Sequence, residues 1–189
     1  MINKSKAGDT VSATVERNIA PNDRISAGGV FHVQCFDKDG NLKWEEKSHN
    51  LVVNQGLQSM NAVYFSSATQ ITSWFIGLVT GPGSGTTYSA NDTIATHAGW
   101  TEFTTYTGTR KACTFGTATT ADPSVITNSA SPASFVTNAS GTIAGAFLCS
   151  VTSGTAGTLF SESDFTGGDR PVASGDTVNV TYTFNLDAL

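Results

Sequence analysis

Charge is what this sequence has least of. Lys, Arg, Asp and Glu make up 13% of its 189 residues, about half of the ~25% usual in soluble domains. The surface must therefore be built from Thr, Ser, Asn and Gly, which suit strands and turns and are poor in helix interiors. No Lys/Arg cluster occurs, RK at 110–111 being the densest pair, and the net charge is −5 with a pI near 5.0. Such a surface repels phosphate backbones, so no direct nucleic-acid partner is expected. No apolar run approaches the roughly 20 residues of a membrane helix, so no membrane partner is expected either. The first residues, MINKSKAGDTVSATVERN, lack an apolar core segment and do not read as a secretory leader. Only three cysteines are present, Cys35, Cys113 and Cys149, widely spaced and without a CxxC pair. A disulfide framework or a thiolate metal site is therefore not expected, and each reads as a small buried hydrophobe.

What is there points to an all-β chain. In VFHVQCF (30–36), Phe31, Val33 and Cys35 alternate with His32 and Gln34, the pattern of a half-buried strand. DKDGN (37–41) supplies turn chemistry, and LKWEEK returns as a hairpin partner. SWFIGLV (73–79), WTEFTTYT (100–107), KACTFGTA (111–118), ASFVTNA (133–139) and GTIAGAFLCSV (141–151) read as further strands. TVNVTYTFNL (177–186) alternates without a fault, with Val178, Val180, Tyr182, Phe184 and Leu186 on one face. GDTV at 8–11 precedes another possible strand. Seven to nine short strands with frequent turns predict a β-sandwich or barrel, of which the sandwich, jelly-roll or immunoglobulin-like, is taken as the fold. One short amphipathic helix is expected over 54–65, with Asn54 as N-cap and Leu57, Met60 and Tyr64 against the sheet. Residues 1–28 mix charge with Gly, Ser and Pro21 and read as an extended N-terminal arm on a 29–189 sandwich domain.

Candidate chemistry concentrates in NDTIATHAGWTEFTTY (91–106), where Asp92, His97 and Glu102 are five residues apart beside Trp100 and Tyr106. A nucleophilic triad needs an activated Ser, Cys or Thr and oxyanion donors, and no GxSxG elbow occurs. Asp92 stands where a turn or cap residue belongs, and HAG reads as a turn into a strand. No catalytic residue is assigned. His32, His49 and His97 lack metal-ligand spacing, DKDGN lacks the acidic residue that would close a calcium loop, and GPGSG (81–85) is not followed by GK[ST]. No metal and no cofactor are expected. Trp44, Trp74 and Trp100 are candidates for a sugar platform, but their strand-like settings favour core or rim positions.

The blocks HNLVVNQGLQ (49–58), ITSWFIGLV (71–79), NDTIATHAGWTEFTTYT (91–107), NSASPASFVTNASGTIAGAFL (128–148), GTLFSESDF (157–165) and SGDTVNVTYTF (174–184) together resemble a family of small tailed-bacteriophage virion structural proteins. The resemblance covers about residues 29–186 and rests on turns and strands. It implies a non-enzymatic virion protein, first of all a capsid decoration (cement) protein. Such a protein would bind the major capsid protein through its arm and one sandwich edge and self-associate as a trimer or dimer. The alternative it implies is a tail- or fibre-associated component that binds a host surface glycan or another tail protein. His97, Trp100 and Glu102 match the family pattern without thereby becoming catalytic.

Overall fold

The faultless alternation near the C-terminal end becomes the central strand of one sheet in the computed structural model, which describes residues 25–81 and 87–188. β12 (Thr177–Ala188) buries Val178, Val180, Tyr182 and Phe184, and its Thr and Asn side chains lie half-buried on the opposite face. Along one side it pairs antiparallel with β1 (Ile25–Phe36), from Ile25 opposite Ala188 to Phe36 opposite Thr177. β1 then pairs with β2 (Leu42–His49). The hairpin turn is held by the Asp37 carboxylate, which accepts from the backbone N–H groups of Asp39 and Asn41 at 2.9 Å each. Along its other side β12 meets β8 (Ala133–Val136) and β7 (Ser124–Thr127) end to end. Between them Asn128 takes the place of a strand: its Oδ1 accepts from Tyr182 N at 2.7 Å, and its Nδ2 donates to Val180 O at 3.3 Å.

The second sheet is centred on β4 (Phe75–Thr80) and β9 (Gly141–Cys149). Beyond β9 lie β10 (Leu159–Asp164) and β11 (Arg170–Val172), and beyond β10 the short β3 (Leu51–Val52). Beyond β4 lie β5 (Glu102–Phe103) and β6 (Lys111–Ala112). The two sheets face each other across one core, in which Phe31, Val33, Val180 and Tyr182 meet Ile76, Leu78, Ile143 and Leu148. The described residues thus form an all-β sandwich of two antiparallel sheets with one short helix.

The second sheet is buried on both faces. Val79, Ala144, Phe147, Cys149 and Leu159 form a separate outer core with Val53, Ile94 and Trp100. A sheet covered on both sides reads as a near-continuous apolar run, which is how GTIAGAFLC earns its unbroken burial from Ile143 to Cys149. Two irregularities sort the side chains. Register slips at Ala144, where Val79 faces Gly145 but Thr80 faces Ile143. It slips again at Phe160, so that Phe160 faces the central core and Ser161, beside it, reaches Tyr182 Oη on the same side.

Three expectations need correction. The arm is shorter than 1–28 implied, because β1 starts at Ile25 and its first four residues pair with Asn185–Ala188. Residues 1–24, including the possible strand near 8–11, lie outside the described residues. The strands expected over 100–107 and 111–118 shrink to Glu102–Phe103 and Lys111–Ala112. The chain between and after them crosses from one sheet to the other and cannot keep a single ladder: Tyr106 bridges Thr137, Gly116 N donates to Thr127 O, and Thr119 N donates to Val125 O. These bonds close that side of the sandwich. β3, β7, β10 and β11 were not expected at all.

Helix α1 (Asn54–Phe65) is present, but its cap and its packing differ from expectation. Val53 is the N-cap and Asn54 the first helical residue, its side-chain amide donating to Asn91 Oδ1 at 2.8 Å. The helix touches the sheet through Gly56, where a Cβ would meet Phe160 O at 2.4 Å. With the contact point so near the N-terminus, the far end stands off the sheet. Met60 packs on the core, whereas Leu57 is 41% and Tyr64 83% exposed.

Candidate functional site

Residues 87–101 lie across the outer face of the second sheet and supply the third layer of the fold. Their anchors are apolar and aromatic. Ile94 and Trp100 are buried in the outer core, and the Trp100 ring lies 4.9 Å from the Phe147 ring. Beneath them β10 contributes Glu162, fully buried, in a strand whose neighbours Ser161 and Ser163 are also buried.

Glu162 is held by Trp100 Nε1, which donates at 2.9 Å, and by Ser89 N, which donates at 3.1 Å. The Asp92 carboxyl is its acidic neighbour. Ser89 N lies 3.3 Å from Asp92 Oδ2 as well, so one backbone amide serves both acids. Burial, and then the neighbouring Asp92, push the Glu162 carboxyl up to about 8, against the pull of the Trp100 and Ser89 donors. At neutral pH Glu162 holds its proton. Two carboxyls can then touch without mutual repulsion.

This geometry decides the fate of the Asp92, His97 and Glu102 spacing. Asp92 turns inward to Glu162. His97 stacks on Trp100 with ring centroids 3.8 Å apart, and its Nδ1 is 3.0 Å from Trp100 O. Glu102 points elsewhere, accepting from Arg110 Nε at 2.8 Å and from Nη2 at 2.7 Å. The same guanidinium donates to Val151 O at 3.2 Å and lies over the Phe147 ring. The three residues do not converge. Nor do Asp92 and Glu162 suit glycoside cleavage, which needs carboxyls roughly 5–9.5 Å apart across a sugar. They lie side by side and share the Ser89 amide instead of facing each other across a cleft. The sequence offered Asp92, Trp100 and Glu102 but not Glu162, whose only signal was an acid flanked by serines in a strand with no alternation.

The remaining candidates scatter. Trp44 Nε1 donates to Pro171 O at 2.9 Å, Trp74 packs edge-on against Phe160, and Trp100 is buried, so no shared platform forms. His32 pairs with Glu45 at 3.1 Å on the outer face of the first sheet. Cys35, Cys113 and Cys149 are free and buried. Burial pushes the Cys35 and Cys113 thiols up to about 12, and Asp176 adds to the effect at Cys35. Among the described residues, no group of three or more His, Cys, Asp and Glu side chains is placed to hold a metal ion.

One opening is substantial. Where α1 stands away from the sheets, the sandwich gapes into an apolar cavity of about 800 Å³, lined by Ile25, Ala27, Met60, Trp74, Phe184 and Leu186 among others. Its rim carries Ile25 and Phe65, 79% and 78% exposed, together with Tyr64. Nothing in the alternation pattern announced it, since it arises from the Gly56 contact that tips the helix. No family model, curated protein or solved structure matches the chain.

Proposed function

We propose that this chain is a non-catalytic structural protein of a tailed-bacteriophage particle, a capsid decoration protein that binds and stabilises the shell of major capsid protein. The observation that carries the reading is how the polar residues of NDTIATHAGWTEFTTYT are used. Trp100 bonds the third layer to Glu162 with Asp92 beside it, His97 braces the Trp100 carbonyl within its own segment, and Glu102 holds Arg110. A segment that bears the family resemblance and carries acids and an imidazole is thus spent on construction.

The contact surface we favour is the outer face of the first sheet. Its β12 row is uncharged: Asn179, Thr181 and Thr183 lie there beside Gln34 and His32 of β1, with Glu45 and Lys47 of β2 on the far margin of the same face. A flat, hydrogen-bonding face with little net charge suits many repeated weak contacts on a shell, where effective concentration multiplies a modest affinity. The sandwich edges suit it less. β2 carries Lys43, Glu45 and Lys47 along one margin, and the 104–119 crossing covers the other.

Counting copies in purified particles tests the position. Hundreds per particle support decoration of the shell by dimers or trimers. Six or twelve would move the protein to the tail or portal and favour the tail-associated alternative. Thr181→Arg with Thr183→Arg should leave the melting temperature nearly unchanged and abolish shell binding; undiminished binding would remove this face from the interface.

A further inference from the structure

We infer that the outer stripe of α1 is a two-fold interface for a second copy of this chain, helix against antiparallel helix with the axis at Asn61. The residues of α1 that face away from the body are Asn54, Leu57, Gln58, Asn61, Tyr64 and Phe65, all exposed and all on one side of the helix. A solvent-facing stripe ordinarily carries charged residues. This one carries three large apolar side chains and three amides, with Tyr64 and Phe65 standing almost wholly clear of the body.

Three observations select a second copy as the occupant. First, the stripe is self-complementary. In an antiparallel helix pair the numbers of facing residues add to a constant, so about Asn61 the Leu57 side chain faces Phe65 of the second copy and Gln58 faces its Tyr64. Asn61 meets its own copy, and a carboxamide carries both donor and acceptor, so two of them pair across an axis. Second, charge is absent where a two-fold axis penalises it. A charge on the axis faces its like, and from Ser48 to Asn91 the sequence contains no Lys, Arg, Asp or Glu, although the chain carries a net charge of −5. Complementary charge would select a partner of different sequence, and this stripe offers none. Third, the end of the stripe is fixed in place. The Ala62 carbonyl accepts from Ser66 N at 3.0 Å and from Ala68 N at 3.1 Å, with Ser67 held at φ +56°. A serine is disfavoured in that left-handed region. Its presence closes the last turn behind the Tyr64 and Phe65 rings, which lie edge to face with centroids 5.0 Å apart.

The size of the face agrees. A buried aromatic side chain covers roughly 150–250 Å², so Tyr64 and Phe65 leave about 300 Å² for a partner. Leu57, Asn61, Tyr64 and Phe65 also line the apolar cavity, so the second copy lies across its mouth. That widens the contact toward the ~800 Å² that each partner of a standard interface buries. Exposed apolar surface on this scale marks a docking site. The inference does not rest on the virion reading: a monomer would sink it and leave the copy count per particle as it stands.

The test uses the full chain. Sedimentation at protein concentrations up to about 100 μM should show a reversible monomer–dimer equilibrium. Tyr64→Lys with Phe65→Lys should weaken it about ten-fold or more with an unchanged far-ultraviolet circular dichroism spectrum, because both side chains stand outside the body. Asn61→Cys, on the axis, should form an interchain disulfide under mild oxidation about ten-fold or more faster than Asp39→Cys in the exposed hairpin turn. The native thiols are buried and do not compete. A chain that stays monomeric or forms trimers would overturn the inference and leave the mouth to another occupant. Equal rates for the two cysteines, or a dimer indifferent to the two lysines, would overturn it as well.

Discussion

Trp100 Nε1 donates to Glu162 Oε2 at 2.9 Å, tying the third layer of the fold to the strand beneath it through one buried bond. The carboxyl that receives this bond titrates well above the usual range, which makes the stability of this layer depend on pH.

Glu162 is raised to about 8 in the folded protein, by burial first and by Asp92 second, whereas an unfolded glutamate titrates near ~4.3. Between those values the folded state holds a proton that the unfolded state has released. Stability from this group is therefore complete below about 4.3 and is lost as pH rises to about 8, with a slope of up to about 1.4 kcal/mol per pH unit. Glu162→Gln should flatten that part of the profile, and urea unfolding across the interval reads it. Identical slopes in the two proteins would show that Glu162 does not titrate there.

The Glu102–Arg110 pair spans 2.7 Å with the arginine almost fully buried. Arg110→Ala removes both bonds to the carboxylate and the one to Val151 O, so a loss of about 2–3 kcal/mol is expected, below the full buried-pair range because Glu102 keeps some solvent. Glu102→Gln should cost less, since the guanidinium retains Val151 and an amide oxygen. Chemical denaturation of both variants gives the ranking; the reverse order would mean that the carboxylate carries the interaction.

Gly77 on β4 is the register partner of Phe147 on β9, and a Cβ at Gly77 would sit 2.2 Å from Phe147 Cζ. The ring occupies the space a side chain would need. Gly77→Ala should destabilise by about 1–3 kcal/mol through overpacking. Adding Phe147→Leu should recover part of that cost, so a double-mutant cycle should show coupling between the two sites; strict additivity would show that the ring does not press on Gly77.

Cys35, Cys113 and Cys149 should all resist a thiol-specific reagent near pH 8 in the folded protein and all react once it is unfolded. Burial keeps each thiol protonated, and the thiolate is the reactive form. Rapid labelling of any one in the native state would place it at the surface.

Legibility followed how many faces of an element are buried. β12 and β1 have one dry face and one half-wet face, and their alternation revealed both strands, their inward residues and the Asp37-centred turn between β1 and β2. β10 hid itself because LFSESD is buried on both sides and carries a register slip, so its serines and glutamate looked like loop. α1 was legible as a helix, yet its packing was misjudged: the pattern pointed to Leu57 and Tyr64, while the contact runs through Gly56, which has no side chain to register in any pattern. For the candidate site, the segment holding Asp92, Trp100 and Glu102 was singled out, but not where each side chain goes: Trp100 to Glu162 and Glu102 to Arg110. Glu162, seventy residues downstream of Asp92, could be paired with it only by the fold.

Ile25 and Ala188 face each other as ladder partners, so passengers genetically joined ahead of one or behind the other would emerge from the same pole of the body. The Asp37–Asn41 hairpin stays clear at the opposite pole. A display scaffold made from this domain would therefore present cargo in one direction, and a link between the two ends would need only a few residues to yield a permuted chain opened at that hairpin.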